Sequence, residues 1–266
     1  MSIFRKRKTA LVLGGGSARG LCSVGVLKAF VTHFGEGKLP FDMVVGTSIG
    51  SLIGAAYCSG MSVKEIEKRA LRFTWPNLVD FGLHKTGLIK GDKLESIIEG
   101  LIEGATFDNL KLPFALTTTD IHTGEGNLHT SGDLVKLVRA SCSWPGFFNS
   151  VEIGGRLLAD GGIRCSIPTK EAHMLGATFT LAVNPGFAIS GAKIDNAFKA
   201  LVQSVQIMGD ELNSYQAREA DIVIKPGLSG EIGQFDFAKA PYIIERGEKA
   251  TLERMDEIKK KLWRFF

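Results

Sequence analysis

The sequence predicts an α/β fold with a mainly parallel central sheet and helices on both faces. Apolar runs alternate with helical patterns along all 266 residues, which is typical of strand–helix–strand units. Hydrophobic residues make up 44% and charged residues 23%, which excludes disordered, collagen-like and coiled-coil classes. The chain has 32 glycines but only 8 prolines, so the excess glycine indicates tight turns and close backbone approaches. Without a linker, composition shift or repeat, one domain over residues 1–266 is predicted.

Strands and helices alternate from the start of the chain. Short apolar runs predict strands at residues 9–14, 43–46, 114–118, 157–159, 179–183 and 222–224. Helical patterns occupy residues 21–34 and 49–58, and two long amphipathic helices close the chain at about residues 193–219 and 242–262. Ser62 with Glu65, and Asp92 with Glu95, have the spacing of capping boxes that begin two further helices.

Charge and cysteine content narrow the classes of partner. The formal net charge is +4, and basic runs lie at residues 5–8 and 259–261. Basic ends suit an anionic lipid surface or are simply solvated termini; with no aromatic-interleaved basic groove, a nucleic-acid partner is not expected.

The four cysteines lie far apart, without C-x-x-C pairs or zinc spacing, which predicts free thiols and no metal. Without a signal peptide or an apolar run of about 18 residues, the chain is predicted to be cytoplasmic.

Residues 73–88 fit neither the strand nor the helix period and are rich in large apolar side chains. Such a stretch is either a small hydrophobic cluster folded under a loop, or a lid or lipid-contact surface near a site. Both interpretations stay open at this point.

A G-x-S-x-G pentapeptide spans Gly46 to Gly50 at the junction of a predicted strand and a predicted helix. In that context a serine, here Ser48, lies on a sharp turn, and the flanking glycines let the neighbouring backbone pass without Cβ clashes. The following helix directs its N–H groups toward developing negative charge. The alternative is a tight turn that merely contains serine.

The glycine-rich run from Gly14 to Gly20 follows the first strand and opens the first helix. Its spacing fails the dinucleotide fingerprint, because Ser17 stands where glycine belongs in the frame of Gly15. It also fails the P-loop pattern, because Leu-Cys follows Gly20 where Lys-Ser/Thr is required. What remains is a nest of backbone N–H groups that forms an oxyanion hole for a nearby serine.

A serine nucleophile needs a base, and two kinds of candidate exist. The chain order of α/β-hydrolases would require His173, which lies in a predicted helix where a solvated position is the simpler explanation. Asp160, followed by Gly161 and Gly162, comes directly after a predicted strand. It is either an ordinary Asp-Gly turn or a carboxylate at a sheet end, where parallel strands would bring it toward Ser48.

Three ordered segments, GGGSARG, GTSIG and DGG, resemble the patatin-like phospholipase family. Blocks at residues 119–125, 139–146 and 157–162 extend the resemblance over about residues 9–185, and the C-terminal helices at about 193–266 match loosely. The resemblance implies a three-layer α/β/α domain and a Ser–Asp dyad without histidine.

Carried over to this chain, the family pattern implies Ser48 as nucleophile and Asp160 as base. The oxyanion hole is then formed by the N–H groups of Gly15, Gly16 and Ser17. Gly46 and Gly50 frame the nucleophile, Gly161 and Gly162 complete the DGG motif, and Arg19 either holds the glycine loop or touches the substrate.

The implied activity is a carboxylic ester hydrolase of the phospholipase A or lysophospholipase type, without cofactor. Its expected substrates are phospholipids, lysophospholipids or acylglycerols. Alternatives are an acyltransferase that uses the same acyl-serine, or a non-catalytic lipid-binding module.

Two apolar features have alternative interpretations. Trp75, Phe81, Phe147 and Phe148 suit either an acyl-chain channel or the core. The last five residues, 262–266, follow three lysines and are either an interfacial anchor, which would give transient membrane contact, or a tail docked on the domain. The sequence leaves the oligomeric state open.

Overall fold

The computed structural model describes residues 8–80, 82, 86–190, 193–230 and 232–263. The strands are β1 (Thr9–Leu13), β2 (Met43–Thr47), β3 (Gly87–Ile89), β4 (Phe114–Asp120), β5 (Gly126–His129), β6 (Gly146–Phe148), β7 (Val151–Ile153), β8 (Arg156–Asp160), β9 (Phe179–Val183) and β10 (Ile222–Ile224). The helices are α1 (Cys22–Phe34), α2 (Ile49–Cys58), α3 (Val63–Ala70), α4 (Trp75–Leu78), α5 (Asp92–Ile102), α6 (Leu134–Ser141), α7 (Thr169–Met174), α8 (Ala197–Ala217), α9 (Ala240–Leu252) and α10 (Met255–Trp263).

The central sheet has eight strands, in the order β10-β9-β1-β2-β4-β8-β7, with β5 also paired to β4. The pairs from β10 to β4 are parallel, whereas β5, β8 and β7 join in antiparallel pairs. A separate two-stranded parallel sheet joins β3 and β6. The α/β class with a mainly parallel sheet is therefore confirmed, with an antiparallel flank that the sequence did not predict.

Alternate residues of the buried strands face two different cores. In β1, Leu11 and Leu13 join the large core with helices α1, α2, α5 and α9. Ala10 and Val12 face the other side, where small residues and α7 make a thinner layer. Because parallel strands are covered on both faces, each reads as a continuous apolar run, which is why the sequence shows these strands clearly.

Helices α1 and α9 cross with their backbones in contact. A Cβ built on Gly25 of α1 would overlap the carbonyl oxygen of Ile244, and one built on Gly247 of α9 would overlap the carbonyl oxygen of Cys22. Glycine at both positions therefore lets the C-terminal helix pack directly on the first helix.

Several predicted boundaries need correction. The cap of α5 is Gly91, with φ 94°, and Asp92 is the first helical residue. The carboxylate of Asp80 accepts the N–H groups of Gly91 and Lys93 and so takes the capping role predicted for Asp92. The predicted helix at residues 242–262 is two helices, α9 and α10. At Ser62 the prediction is confirmed, since its side chain accepts the Glu65 N–H.

Residues 73–88 and the C-terminal tail each had two possible interpretations from the sequence. The described part of each segment packs against the rest of the molecule. In residues 73–88, Leu78 and Val79 are buried, while positions 81 and 83–85 lie outside the described residues. In the C-terminal tail, Leu262 is buried and the Trp263 ring meets Phe34 edge-on at a centroid distance of 5.9 Å. The tail is thus docked as far as residue 263, and residues 264–266 lie outside the described part. Within the described residues, no helix has both the length and the apolarity to span a bilayer.

Candidate active site

Ser48 lies at the turn between β2 and α2 in a backbone conformation that L-residues rarely adopt, with φ 53° and ψ −128°. The flanking glycines make this turn possible. A Cβ on Gly46 would lie 2.6 Å from the Gly50 carbonyl oxygen, and one on Gly50 would overlap the carbonyl oxygen of Leu13. Such strain costs on the order of 1–3 kcal/mol and persists only where the surroundings enforce it.

Ser141, at the end of α6, holds the backbone of Ser48. Its hydroxyl oxygen accepts the Ser48 N–H at 2.8 Å, and the residue is completely buried. Ser141 lies in a block that resembles the family, but no role could be predicted for it, because only the tertiary fold brings it to the turn.

Asp160 ends β8 beside Ser48. The Ser48 hydroxyl donates to Asp160 Oδ2 at 2.6 Å, and the Gly162 N–H donates to Oδ1 at 2.7 Å. The aspartate is 7% exposed, and desolvation by burial raises the pKa of its carboxyl to about 6, against the opposing effect of these two hydrogen bonds. A carboxylate with a pKa near neutral is a better proton acceptor than an ordinary aspartate.

The route by which Asp160 reaches Ser48 differs from the expectation. β8 is antiparallel to β4, with Asp160 opposite Thr118, and Thr47 of β2 lies opposite Thr117 on the other side of β4. The aspartate therefore comes from a strand that runs toward the serine from the opposite direction, and not from a shared end of parallel strands.

Gly161 is required by the packing behind the pair. A Cβ at this position would lie 2.5 Å from the Thr117 carbonyl oxygen. Below the site, the Thr47 hydroxyl bonds with the Thr117 hydroxyl at 2.7 Å and donates to the Cys165 carbonyl at 2.9 Å. These buried bonds join β2, β4 and the segment after β8, and they fix the distance between Ser48 and Asp160.

The glycine loop lies directly against Ser48, since a Cβ on Gly15 would be 3.4 Å from the Ser48 Cβ. The Gly15 N–H donates to the Ser166 carbonyl at 2.9 Å and is therefore engaged, which corrects its expected place among the oxyanion donors. Within the described residues, the N–H groups of Gly16 and Ser17 have no hydrogen-bond acceptor. Those two amides remain free to bind an oxyanion.

Arg19 is buried and lies behind the glycine loop. Its guanidinium donates to the carbonyls of Gly186, Ser229 and Ile232 at 2.8–3.0 Å. These bonds favour the role in which Arg19 holds the glycine loop in place over the role in which it touches the substrate.

Ser48, Asp160 and the glycine loop lie on a cavity of about 370 Å³ that is otherwise lined mainly by apolar side chains. Trp75 and Phe148 line it, as expected for a channel, whereas Phe147 lies on a neighbouring groove and Phe81 is outside the described residues. The sequence analysis missed Trp144 and Phe235, which also line the cavity and contact each other at a centroid distance of 5.6 Å. Residues 73–78 thus form cavity wall.

The positions of the histidines bear on which group could act as the base for Ser48. The four histidines within the described residues do not line it, and the His173 ring bonds to the carbonyls of Ala177 and Glu219. The described part of the chain contains no group of three or more His, Cys, Asp or Glu side chains arranged to hold a metal ion.

A three-layer α/β fold that carries a serine on a strand–turn–helix elbow, bonded to a buried aspartate beside a glycine loop, defines the class of this protein. A family model described as patatin-like phospholipase matches residues 11–173. The chain belongs to the patatin-like phospholipase family.

Three relatives show how far the similarity extends. The chain is 33% identical over 184 residues to neuropathy target esterase sws of Drosophila melanogaster, which covers 66% of this chain and 13% of that protein. It is 34% identical over 185 residues to patatin-like phospholipase domain-containing protein 7 of Rattus norvegicus, with the same coverage, 66% and 13%. Lysophospholipase NTE1 of Debaryomyces hansenii is 30% identical over 190 residues, with coverage of 69% and 12%. The matched region is therefore a small part of these much longer proteins.

Two solved structures share the fold. VipD from Legionella pneumophila superposes with a TM-score of 0.64 at 15% identity, covering 95% of this chain and 67% of that one. The type III effector protein ExoU superposes with a TM-score of 0.50 at 14% identity, covering 95% and 53%. At such identities the likeness is one of fold alone.

Proposed function

We propose that this chain is a serine-dependent lipid acyl hydrolase that cleaves carboxylic esters through an acyl-Ser48 intermediate. The observation that carries the proposal is the 2.6 Å hydrogen bond from the Ser48 hydroxyl to Asp160 in the wall of a mainly apolar cavity. The amides of Gly16 and Ser17, which have no acceptor among the described residues, line the same cavity.

In the proposed first step, Ser48 Oγ attacks the ester carbonyl carbon while its proton passes to Asp160. The carbonyl oxygen becomes an oxyanion that accepts the N–H groups of Gly16 and Ser17, and each such donor contributes about 3 kcal/mol to lowering the barrier. Collapse of the intermediate releases the alcohol, which takes the proton from Asp160. Water then attacks the acyl-serine and gives a proton to Asp160. The bond between the acyl carbon and Ser48 Oγ breaks, the fatty acid leaves, and Ser48 Oγ takes the proton back from Asp160.

The substrate class follows from the cavity and the family. An apolar cavity beside the serine suits a fatty acyl chain, and a relative is named lysophospholipase. Lysophospholipids, phospholipids and acylglycerols are therefore the proposed substrates.

Replacement of the proposed nucleophile tests this function. Ser48→Ala is expected to abolish both ester hydrolysis and labelling by a fluorophosphonate, because among the described residues Ser48 supplies the hydroxyl that bonds to Asp160. Ser59→Ala removes a hydroxyl that donates to the Ala55 carbonyl at the end of α2, outside the lining of the cavity, and this matched control should keep both. A folded Ser48→Ala protein that still hydrolyses a lysophospholipid would refute the assignment.

A further inference from the structure

Helix α8 is inverted relative to an ordinary surface helix. Its outward side carries large apolar residues, and Leu201 and Tyr215 are 63% and 64% exposed. Its inward side carries the buried polar residues Gln206 and Asn213. An amphipathic helix normally shows the opposite arrangement, because its apolar stripe is what attaches it to the core.

Polar bonds attach this helix to the molecule instead. The Gln216 side-chain oxygen accepts the N–H groups of Ser166 and Ile167, both at 2.9 Å, and its amide nitrogen donates to the Arg164 carbonyl. These bonds help to hold α8, and packing within the described part of the fold does not cover Leu201, Met208 and Tyr215, which are 63%, 63% and 64% exposed.

The outward apolar residues form a stripe, and the exposed Glu211 lies beside it between Met208 and Tyr215. The stripe consists of residues spaced by three, four or seven positions, which places them on one side of the helix. We call it the α8 stripe: Phe198, Leu201, Val205, Met208 and Tyr215.

The α8 stripe is continuous with the candidate active site. Val205 and Met208 line the cavity that holds Ser48, and Met208 is also 63% exposed, so the cavity reaches the surface beside the stripe. At the start of the helix, the ring centroids of Phe198 and Phe147 lie 5.7 Å apart.

We propose that the α8 stripe is the face by which this chain docks on a lipid surface, so that an acyl chain passes from the lipid phase into the cavity without crossing water. The inference rests on the proposed function. A protein seated on the stripe, or a second copy of this chain, would cover the cavity where Met208 lines it, whereas a lipid surface both covers the exposed apolar area and supplies the substrate. This face replaces the C-terminal tail as the proposed site of contact, because Leu262 is buried in the core.

Flotation with vesicles of diether phosphatidylcholine, which has no ester to cleave, tests the docking face. The double variant Leu201→Glu/Tyr215→Glu changes two stripe residues that do not line the cavity. We expect its vesicle partition coefficient to fall roughly tenfold or more, because two apolar contacts are replaced by charges. Leu252→Glu, at an exposed apolar position on α9, is the matched control and should bind as the unchanged chain does.

Activity assays separate this proposal from the proposed function. Hydrolysis of a water-soluble short-chain ester should be equal in the double variant and the unchanged chain, while hydrolysis of vesicle-embedded ester lipid should fall with binding. Equal vesicle binding by both proteins would overturn the docking face, as would a dimer of the unchanged chain that the double variant converts to monomer. A chain that binds vesicles through the stripe but cleaves no ester would refute the function alone.

Discussion

At the scale of single residues, the environment of Asp160 differs from that of a surface carboxylate in burial and in partners. Only two hydrogen bonds, from Ser48 and Gly162, stabilise its charged form, and no cation faces it among the bonds and ion pairs of the described residues. Burial therefore dominates, and the pKa of the carboxyl rises to about 6. Three predictions concern this site: the pH dependence of activity, the effect of Asp160 on stability, and the role of the serine that holds the turn.

The pH dependence should follow the protonation of Asp160. The protonated carboxyl cannot accept the Ser48 proton, so kcat/KM for a soluble ester is expected to fall as the pH drops through about 6. A rate that stays constant from about pH 8 down to pH 5 would contradict Asp160 as the base.

The same shift has a consequence for stability. Because the folded-state pKa is raised from 3.8 to about 6, the folded state binds the proton more tightly than the unfolded state. The charged carboxylate therefore costs the fold up to about 3 kcal/mol above pH 6, and this cost disappears as the pH falls toward 4. Asp160→Asn should be inactive and have a higher Tm than the unchanged chain at pH 8, with a difference that shrinks toward pH 4.

Ser141 is expected to act as a positioning residue. Ser141→Ala leaves the partly buried Ser48 N–H without its acceptor, which costs about 1–3 kcal/mol and loosens the strained turn. We expect kcat for ester hydrolysis to fall about 10- to 100-fold with little change in KM, and fluorophosphonate labelling to slow in parallel. With Ser59→Ala as control, a kcat within twofold of the unchanged chain would contradict this role.

At the scale of elements, the sequence predicted the strands that contain an apolar run and missed β3, β5, β6 and β7. β1, β2, β9 and β10 are mainly apolar, and β4 begins with an apolar run, so the pattern that marks these strands is local. The three-residue strands β3, β6 and β7 exist only through pairing with distant segments, and no local period marks them. The predicted cap of α5 was wrong for a similar reason, since Asp80 accepts the N–H groups at the start of α5 from outside the helix.

The crossing of α1 and α9 makes a prediction about stability. Gly247→Ala would force its Cβ into the Cys22 carbonyl and push the two helices apart, and is expected to destabilise the fold by about 1–3 kcal/mol. Gly100→Ala in α5 is the matched control. Its Cβ would meet nothing closer than Arg69 Nη1 at 3.7 Å, so it should be neutral or stabilising by about 0.5–1 kcal/mol. Equal urea midpoints for the two variants would contradict the close crossing.

At the scale of the whole molecule, the region after residue 190 completes the fold of the family-matching region. It supplies the Ser229 and Ile232 carbonyls that accept from Arg19, the strand β10 that pairs with β9, and the helix α9 that covers α1. The matched residues 11–173 therefore leave apolar surface and buried donors uncovered when taken alone.

Truncation after residue 190 tests whether the chain folds as one unit. The full chain is expected to unfold in a single cooperative transition, while the truncated chain should lack both a sharp thermal transition and a near-UV circular dichroism signal. Leu11, Phe30 and their neighbours would then lose part of the core that buries them. A truncated chain with a sharp transition would contradict the single-domain prediction.

The sequence by itself determined the α/β class, the positions of the main strands along the chain and the glycines that allow the turn at Ser48. Side-chain period and backbone sterics act between near neighbours, so these features can be recognised locally. The tertiary structure alone decided that Asp160 arrives on an antiparallel strand, that Gly15 gives its amide to Ser166, and that α8 faces outward with its apolar side. Those outcomes depend on which distant segments supply hydrogen-bond partners and cover, and the packing of the whole chain selects them.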